Sequence, residues 1–204
     1  MFRWYPPDPG MRPTVGLACS PLPRMREWKM EVRSSAPGAL KFKLTKQEIK
    51  EAEAEGKERC ERGKAKRLRG RSGGPNGGTD LRIDILGSAG EMAVASYLGR
   101  KDGLFKDKQA VRHSIDIPPD IDVKTGAKHS YRLIVHLDDL PTKRFVLVTI
   151  EGLDDGTYDT IIHGWMMGED AMKKKYVCEP VPGRRGYFVP QKDLRPVSEL
   201  KELT

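Results

Sequence analysis

Ten residues, Asp116 to Thr125 (Asp-Ile-Pro-Pro-Asp-Ile-Asp-Val-Lys-Thr), constrain this chain more than any other stretch. Carboxylates and a lysine alternate here with β-branched residues. A regular strand therefore puts Asp120, Asp122 and Lys124 on one face and turns Ile121 and Val123 toward a core. Carboxylates this close repel one another unless a cation or a proton intervenes. A divalent metal is the simplest way to hold them, and a neighbouring lysine suits an anionic transition state. The same alternation also describes the solvated face of a half-exposed strand.

The segment from Thr79 to Leu98 reads as a helix. Thr79 is a suitable N-cap, Asp80 sits in the first turn and Gly99 follows as a C-cap. Ile83, Leu86, Ala89, Gly90, Ala93, Val94, Tyr97 and Leu98 recur at helical spacing. Glu91 falls on or beside that stripe, where a carboxylate is costly unless it is paired, metal-bound or able to reach solvent from the edge. The run Gly87-Ser88-Ala89-Gly90 predicts a helix that approaches a sheet closely.

These two segments together resemble the PD-(D/E)XK nuclease superfamily. The resemblance rests on Gly87-Ser88-Ala89-Gly90-Glu91-Met92-Ala93-Val94-Ala95-Ser96-Tyr97-Leu98-Gly99 followed by Asp122-Val123-Lys124-Thr125. Ile162-His163-Gly164-Trp165 and Tyr187-Phe188-Val189-Pro190-Gln191 also fit small, phage-type members. The resemblance implies a restriction-endonuclease-like α/β core with a mixed β-sheet flanked by helices. It assigns Glu91 as the helix acid, Asp122 and Lys124 as the acid-x-lysine pair, and either Asp116 or Asp120 as the first aspartate. Pro119-Asp120 spells the motif, yet Asp120 stands only two residues before Asp122. Asp116 leaves room for a Pro118-Pro119-Asp120 turn, and prolines do not continue a central strand. The implied activity is hydrolysis of DNA phosphodiesters. The carboxylates (Glu91, Asp116, Asp120, Asp122) would hold Mg2+ or Mn2+, and Lys124 would orient water or stabilise developing charge. The short gap between Asp120 and Asp122 departs from the pattern. It keeps open a second reading, a catalytically inactive nuclease-like protein that binds nucleic acid or serves as a phage structural or assembly protein.

Composition bounds the partners. With 37 basic against 29 acidic residues the formal charge is +8, which favours an anionic partner, nucleic acid before membrane. No apolar run approaches the roughly 18 residues needed to span a bilayer, and no secretory leader is evident. Cys19, Cys60 and Cys178 are too few and too scattered for a disulfide framework, which fits a cytoplasmic setting, or a host cytoplasm or virion if the chain is phage-encoded. A homodimer and association with phage particle components stay open.

Three regions follow from the punctuation of the chain. Residues 1–44 read as an extended arm rich in proline and arginine. Residues 45–78 combine a charged helix with a Gly-rich linker. The helix opens on the capping box Thr45-Lys46-Gln47-Glu48 and ends in Lys64, Lys66, Arg67, Arg69 and Arg71, which are suited to phosphates. Residues 79–204 hold the α/β domain: the helix, the acidic hairpin, strands over 132–137, 144–151 and 161–167, a short helix near 168–172 and a last strand at 187–189. His163 and Trp165 are expected in the packed sheet. Asp138, Asp139, Asp154 and Asp155 are expected to serve turns, and His129 is a candidate for the edge of the cleft.

Overall fold

The computed structural model describes residues 38–65, 77–105, 115–180 and 182–203, with the side chains of 64–65 and 77–80 left aside. It is an α/β protein with a mixed sheet and flanking helices. Helix α1 spans Lys46–Ala65 and α2 spans Gly77–Tyr97. The first sheet runs in the order β1 (Leu40–Phe42), β5 (Asp159–Met167), β4 (Arg144–Glu151), β2 (Ile121–Gly126). In it β2 lies parallel to β4, while β4–β5 and β5–β1 are antiparallel. A second, three-stranded sheet has the order β3 (Leu133–His136), β7 (Gly186–Val189), β6 (Val177–Cys178), antiparallel throughout. The short helices α3 (Gly168–Ala171) and α4 (Val197–Glu202) and the 3-10 turns Lys174–Tyr176 and Gln191–Asp193 complete the described elements.

Strand β4 is buried along almost its whole length because both of its faces meet apolar layers. Val146, Val148 and Ile150 join Ile121, Val123, Leu86, Ala89, Ala93 and Leu200 in a cluster under α2 and α4. Phe145 and Leu147 point the other way and pack with Leu133, Val135 and Val189 of the second sheet and with Tyr176 just before β6. The described domain is thus layered as helix, helix, sheet, sheet, and α2 is a middle layer. That position explains why Ser88 to Ala95 are buried without interruption, since a helix enclosed on two sides has no polar face to spare.

Small residues set the layer spacings. A Cβ at Gly90 would fall 2.0 Å from Thr125 Oγ1, so α2 lies on β2 at a separation that only glycine permits. A Cβ at Gly56 would fall 2.5 Å from the Ile85 Cα, which brings α1 equally close to α2. On α1 the side facing α2 carries Glu48, Ala52, Glu55, Gly56 and Cys60, at helical spacing. The capping box at its start is formed: the Thr45 amide and hydroxyl donate to Glu48 Oε2 (2.8 and 2.9 Å), and the Glu48 amide donates to Thr45 Oγ1 (3.2 Å).

Several boundaries differ from those read in the sequence. The arm does not extend to residue 44, because Leu40–Phe42 is a strand pairing Leu40 with Ile162 and Phe42 with Thr160. Helix α2 starts at Gly77, ahead of Thr79. Strand β2 starts at Ile121, so Asp120 belongs to the turn that follows the cis Pro118-Pro119 peptide and does not share a strand face with Asp122 and Lys124. Strand β5 begins two residues earlier than expected. Residues 1–37 of the arm and 66–76 of the linker lie outside the described residues.

The α2–β2 contact yields a test. Helix propensity favours Gly90→Ala by about 1 kcal/mol, whereas overpacking a filled interface costs about 1–3 kcal/mol. We expect Gly90→Ala to lower the unfolding free energy by up to about 2 kcal/mol, measured by urea denaturation. Adding Thr125→Ala should recover most of that loss, because it removes the obstructing Oγ1 and methyl group, and Oγ1 has no hydrogen-bond partner to lose.

Candidate functional site

The alternation of β2 decides what its acidic run can do. Ile121 and Val123 enter the α2 cluster and Thr125 meets α2 at Gly90, so Asp122 and Lys124 point to the opposite face, beside Phe145. There Asp122 Oδ1 takes Lys124 Nζ at 2.9 Å and Oδ2 takes Lys143 Nζ at 3.0 Å. Lys124 also reaches Asp139 Oδ2 at 3.1 Å and lies 5.1 Å above the centre of the Phe145 ring. Asp122 is 8% exposed and Lys143 3%, so this is a desolvated set of two carboxylates and two ammonium groups. Burial pulls the Lys124 ammonium down, but Asp122 and then Asp139 more than offset this and hold it above its ordinary value.

The remaining predicted acids are seated elsewhere. Glu91, 4% exposed on α2, faces α1 and receives both Nη atoms of Arg59 at 2.6 and 2.7 Å. Arg59 also donates to Glu55 at 2.7 Å, and these two carboxylates hold the guanidinium well above its ordinary value despite its burial. Asp120 pairs with Arg144 through Nε (2.9 and 3.0 Å) and Nη2. Asp116 Oδ2 accepts the Val123 amide at 2.8 Å, which fastens the start of the hairpin to β2. The fold therefore joins Asp122 to Lys124. Glu91, Asp116 and Asp120 are held in three other pairings.

A magnesium ion does not fit this arrangement. Both oxygens of Asp122, Asp120 and Glu91 already carry a protein cation, and a divalent ion would have to displace a lysine or an arginine to reach them. Among the described residues no three His, Cys, Asp or Glu side chains are grouped so as to hold a metal. Sequence reading missed the groups that fill these places. Asp139 was assigned a turn role, which it does have, since it accepts the His136 amide at 2.9 Å; its second role with Lys124 comes from the fold. Arg59, Lys143 and Arg144 lie 32, 21 and 24 residues from their acids, with no local pattern to mark them. Lys64 stands one residue before the end of α1 with its side chain undescribed, and Lys66, Arg67, Arg69 and Arg71 lie outside the described residues.

A second polar set occupies the far end of β4 on the same face. His163 is the extra residue of a bulge, because Gly164 pairs with Leu147 and Ile162 with Val148. His163 Nε2 lies 2.7 Å from Thr149 Oγ1, Thr149 Oγ1 lies 2.8 Å from His129 Nδ1, and His129 Nε2 lies 3.2 Å from Asp159 Oδ2. With both imidazoles neutral, one proton arrangement satisfies all three contacts: His163 donates to Thr149, Thr149 to His129, and His129 to Asp159. That leaves His163 Nδ1 as a buried acceptor without a partner. His129 thus stands at the exposed end of this chain, and Gln191 fixes its loop by donating to the His129 and Tyr131 carbonyls. As the sequence indicated, His163 and Trp165 are core residues, 2% and 1% exposed.

Two predictions follow from these pairings. Arg59→Met strands Glu91 in the α1–α2 interface and should cost about 3–5 kcal/mol. Arg59→Met combined with Glu91→Leu should recover most of that stability in the same denaturation assay. Burial, and secondarily His129, pushes the His163 imidazole down to about 4 from an ordinary 6.5. The unfolded chain then binds a proton that the native state refuses. Stability should fall as pH drops from about 6.5 to about 4, by up to about 3 kcal/mol, and His163→Gln should flatten that slope. Glu48 does not confuse the reading: burial raises it, but Ser96, Thr45 and Lys101 together hold it at about 2, so its loss falls below pH 4.5.

Comparison of the chain with family models, curated proteins and solved structures finds no match in any of the three.

Proposed function

We propose that this chain is a nucleic-acid-binding protein on a restriction-endonuclease-like α/β scaffold, and that it does not catalyse metal-dependent cleavage. One observation carries the reading: three of the acids that resemble a nuclease site, Glu91, Asp120 and Asp122, are neutralised by Arg59, Arg144, Lys124 and Lys143, so they act as internal counterions. The distribution of charge supports it. Segments 1–37, 66–76 and 106–114 hold 13 basic and 4 acidic residues, leaving 24 basic and 25 acidic in the remaining chain. The whole basic surplus therefore belongs to these three segments, where arginines and lysines can release counterions from a phosphate backbone. Among the described residues no helix is long and apolar enough to cross a membrane. A role in a phage particle is a variant of the same reading.

A nuclease acting on DNA is the second reading, favoured by the acid-x-lysine contact of Asp122 with Lys124 on a buried strand.

The deciding experiment measures binding and cleavage together, on duplex DNA, single-stranded DNA and RNA, with magnesium, manganese or EDTA. Wild type is compared with Asp122→Ala and Lys124→Ala. We expect binding that weakens steeply with salt, is indifferent to EDTA, and comes with no cutting. Metal-dependent cutting lost in both variants would overturn the proposal in favour of the nuclease. Absence of binding to every substrate would overturn both readings.

A further inference from the structure

We propose that the outer face of the β3–β7–β6 sheet is a binding surface for single-stranded nucleic acid, with Phe188 as a stacking platform. The inference rests on the nucleic-acid-binding reading above and assigns it a place in the fold.

The second sheet turns Leu133, Val135 and Val189 into the core, so Ile134, Phe188 and Gly186 face outward. Ile134 stands directly across from Phe188, and neither packs against either hydrophobic cluster. A Cβ at Gly186 would touch Phe188 Cε2 at 3.6 Å, which places the ring over a residue with no side chain of its own. Ile134 and Phe188 are half-buried on this outward face and Gly186 beneath the ring is buried, so the two side chains form a partly exposed apolar platform outside both core clusters.

The strand pairing puts cations at both ends of that platform. Arg184 and Arg185 precede Gly186 at one end. At the other end Lys192 follows Val189, and Lys174 leads into β6. Arg184, Arg185, Lys174 and Lys192 are without an acidic partner among the described residues. The nearby Glu179 is engaged with the Gly183 amide at 2.6 Å. Unpaired cations flanking an aromatic ring fit a phosphate backbone running across the sheet with a base laid on Phe188. Stacking needs an unpaired base, so the fitting partner is a single strand; a duplex offers this face only phosphates.

The test uses the full chain and a thymidine homopolymer, with duplex DNA of matched length as the reference. Phe188→Ala should weaken single-strand binding about tenfold and leave duplex binding unchanged. Arg184→Ala with Arg185→Ala, in an exposed loop, should weaken it and reduce its salt dependence. Phe188→Trp should keep the affinity, and its fluorescence should be quenched on binding. It also guards against a Phe188→Ala variant that fails to fold. Unchanged single-strand binding in all variants would overturn this surface while leaving the nucleic-acid-binding reading intact. A wild type that binds no nucleic acid would overturn both. A concentration-dependent dimer dissolved by Phe188→Ala would assign the face to a second copy of the chain and overturn the proposal.

Discussion

Strand β4 has to satisfy two hydrophobic layers at once, and the placement of every polar group near it follows from that demand. Its alternate residues feed the α2 cluster and the second sheet, so no side chain between Arg144 and Ile150 faces solvent. Polar chemistry on this strand is pushed to its two ends. At the start Lys143 and Arg144 answer Asp122 and Asp120; at the finish Thr149 and Glu151 meet His129 and His163. The parallel pairing of β2 with β4 then fixes which β2 residues join which end.

The electrostatics of the interior follow one rule. A carboxylate removed from water needs a cation or several donors, or it costs several kcal/mol. Glu91 and Glu55 share Arg59, Asp122 shares two lysines, and Glu48 collects Thr45, Ser96 and Lys101. The ion pairs of α1 also explain how a helix with few apolar residues can dock. Its side toward α2 is built from small residues and from charges that are neutralised across the interface. Glu55–Arg59 and Glu58–Arg62, both with the acid four residues before the base, add support along its own surface.

Much of the architecture was legible in the residues. The capping box, a helix whose small residues approach the sheet, the limits of β4 and the turns at Asp154 and Asp155 follow local rules of periodicity and turn chemistry. Glu91 was legible as a buried carboxylate because its place on the α2 stripe is a property of one helix. Its partner was not, because Arg59 sits on a helix that reads as solvated and meets Glu91 only through tertiary packing. Asp122 and Lys124 were legible as neighbours. That they turn away from α2 depends on which face of β2 the helix covers, and only the layer order reveals it. Strand β1 escaped notice because three residues are too few to display an alternation.

Strand β1 also carries an architectural consequence for the chain before it. It closes the edge of β5, and a Cβ at Gly38 would collide with Pro196 Cβ at 2.8 Å, so the backbone enters the domain pressed against the residue that precedes α4. A truncation that removes residues up to 43 would bare the backbone donors and acceptors of Thr160 to Ile162, and an open strand edge is a template for pairing with another chain. The boundary at which a shortened protein stays monodisperse is therefore set by Gly38, well before the first helix begins.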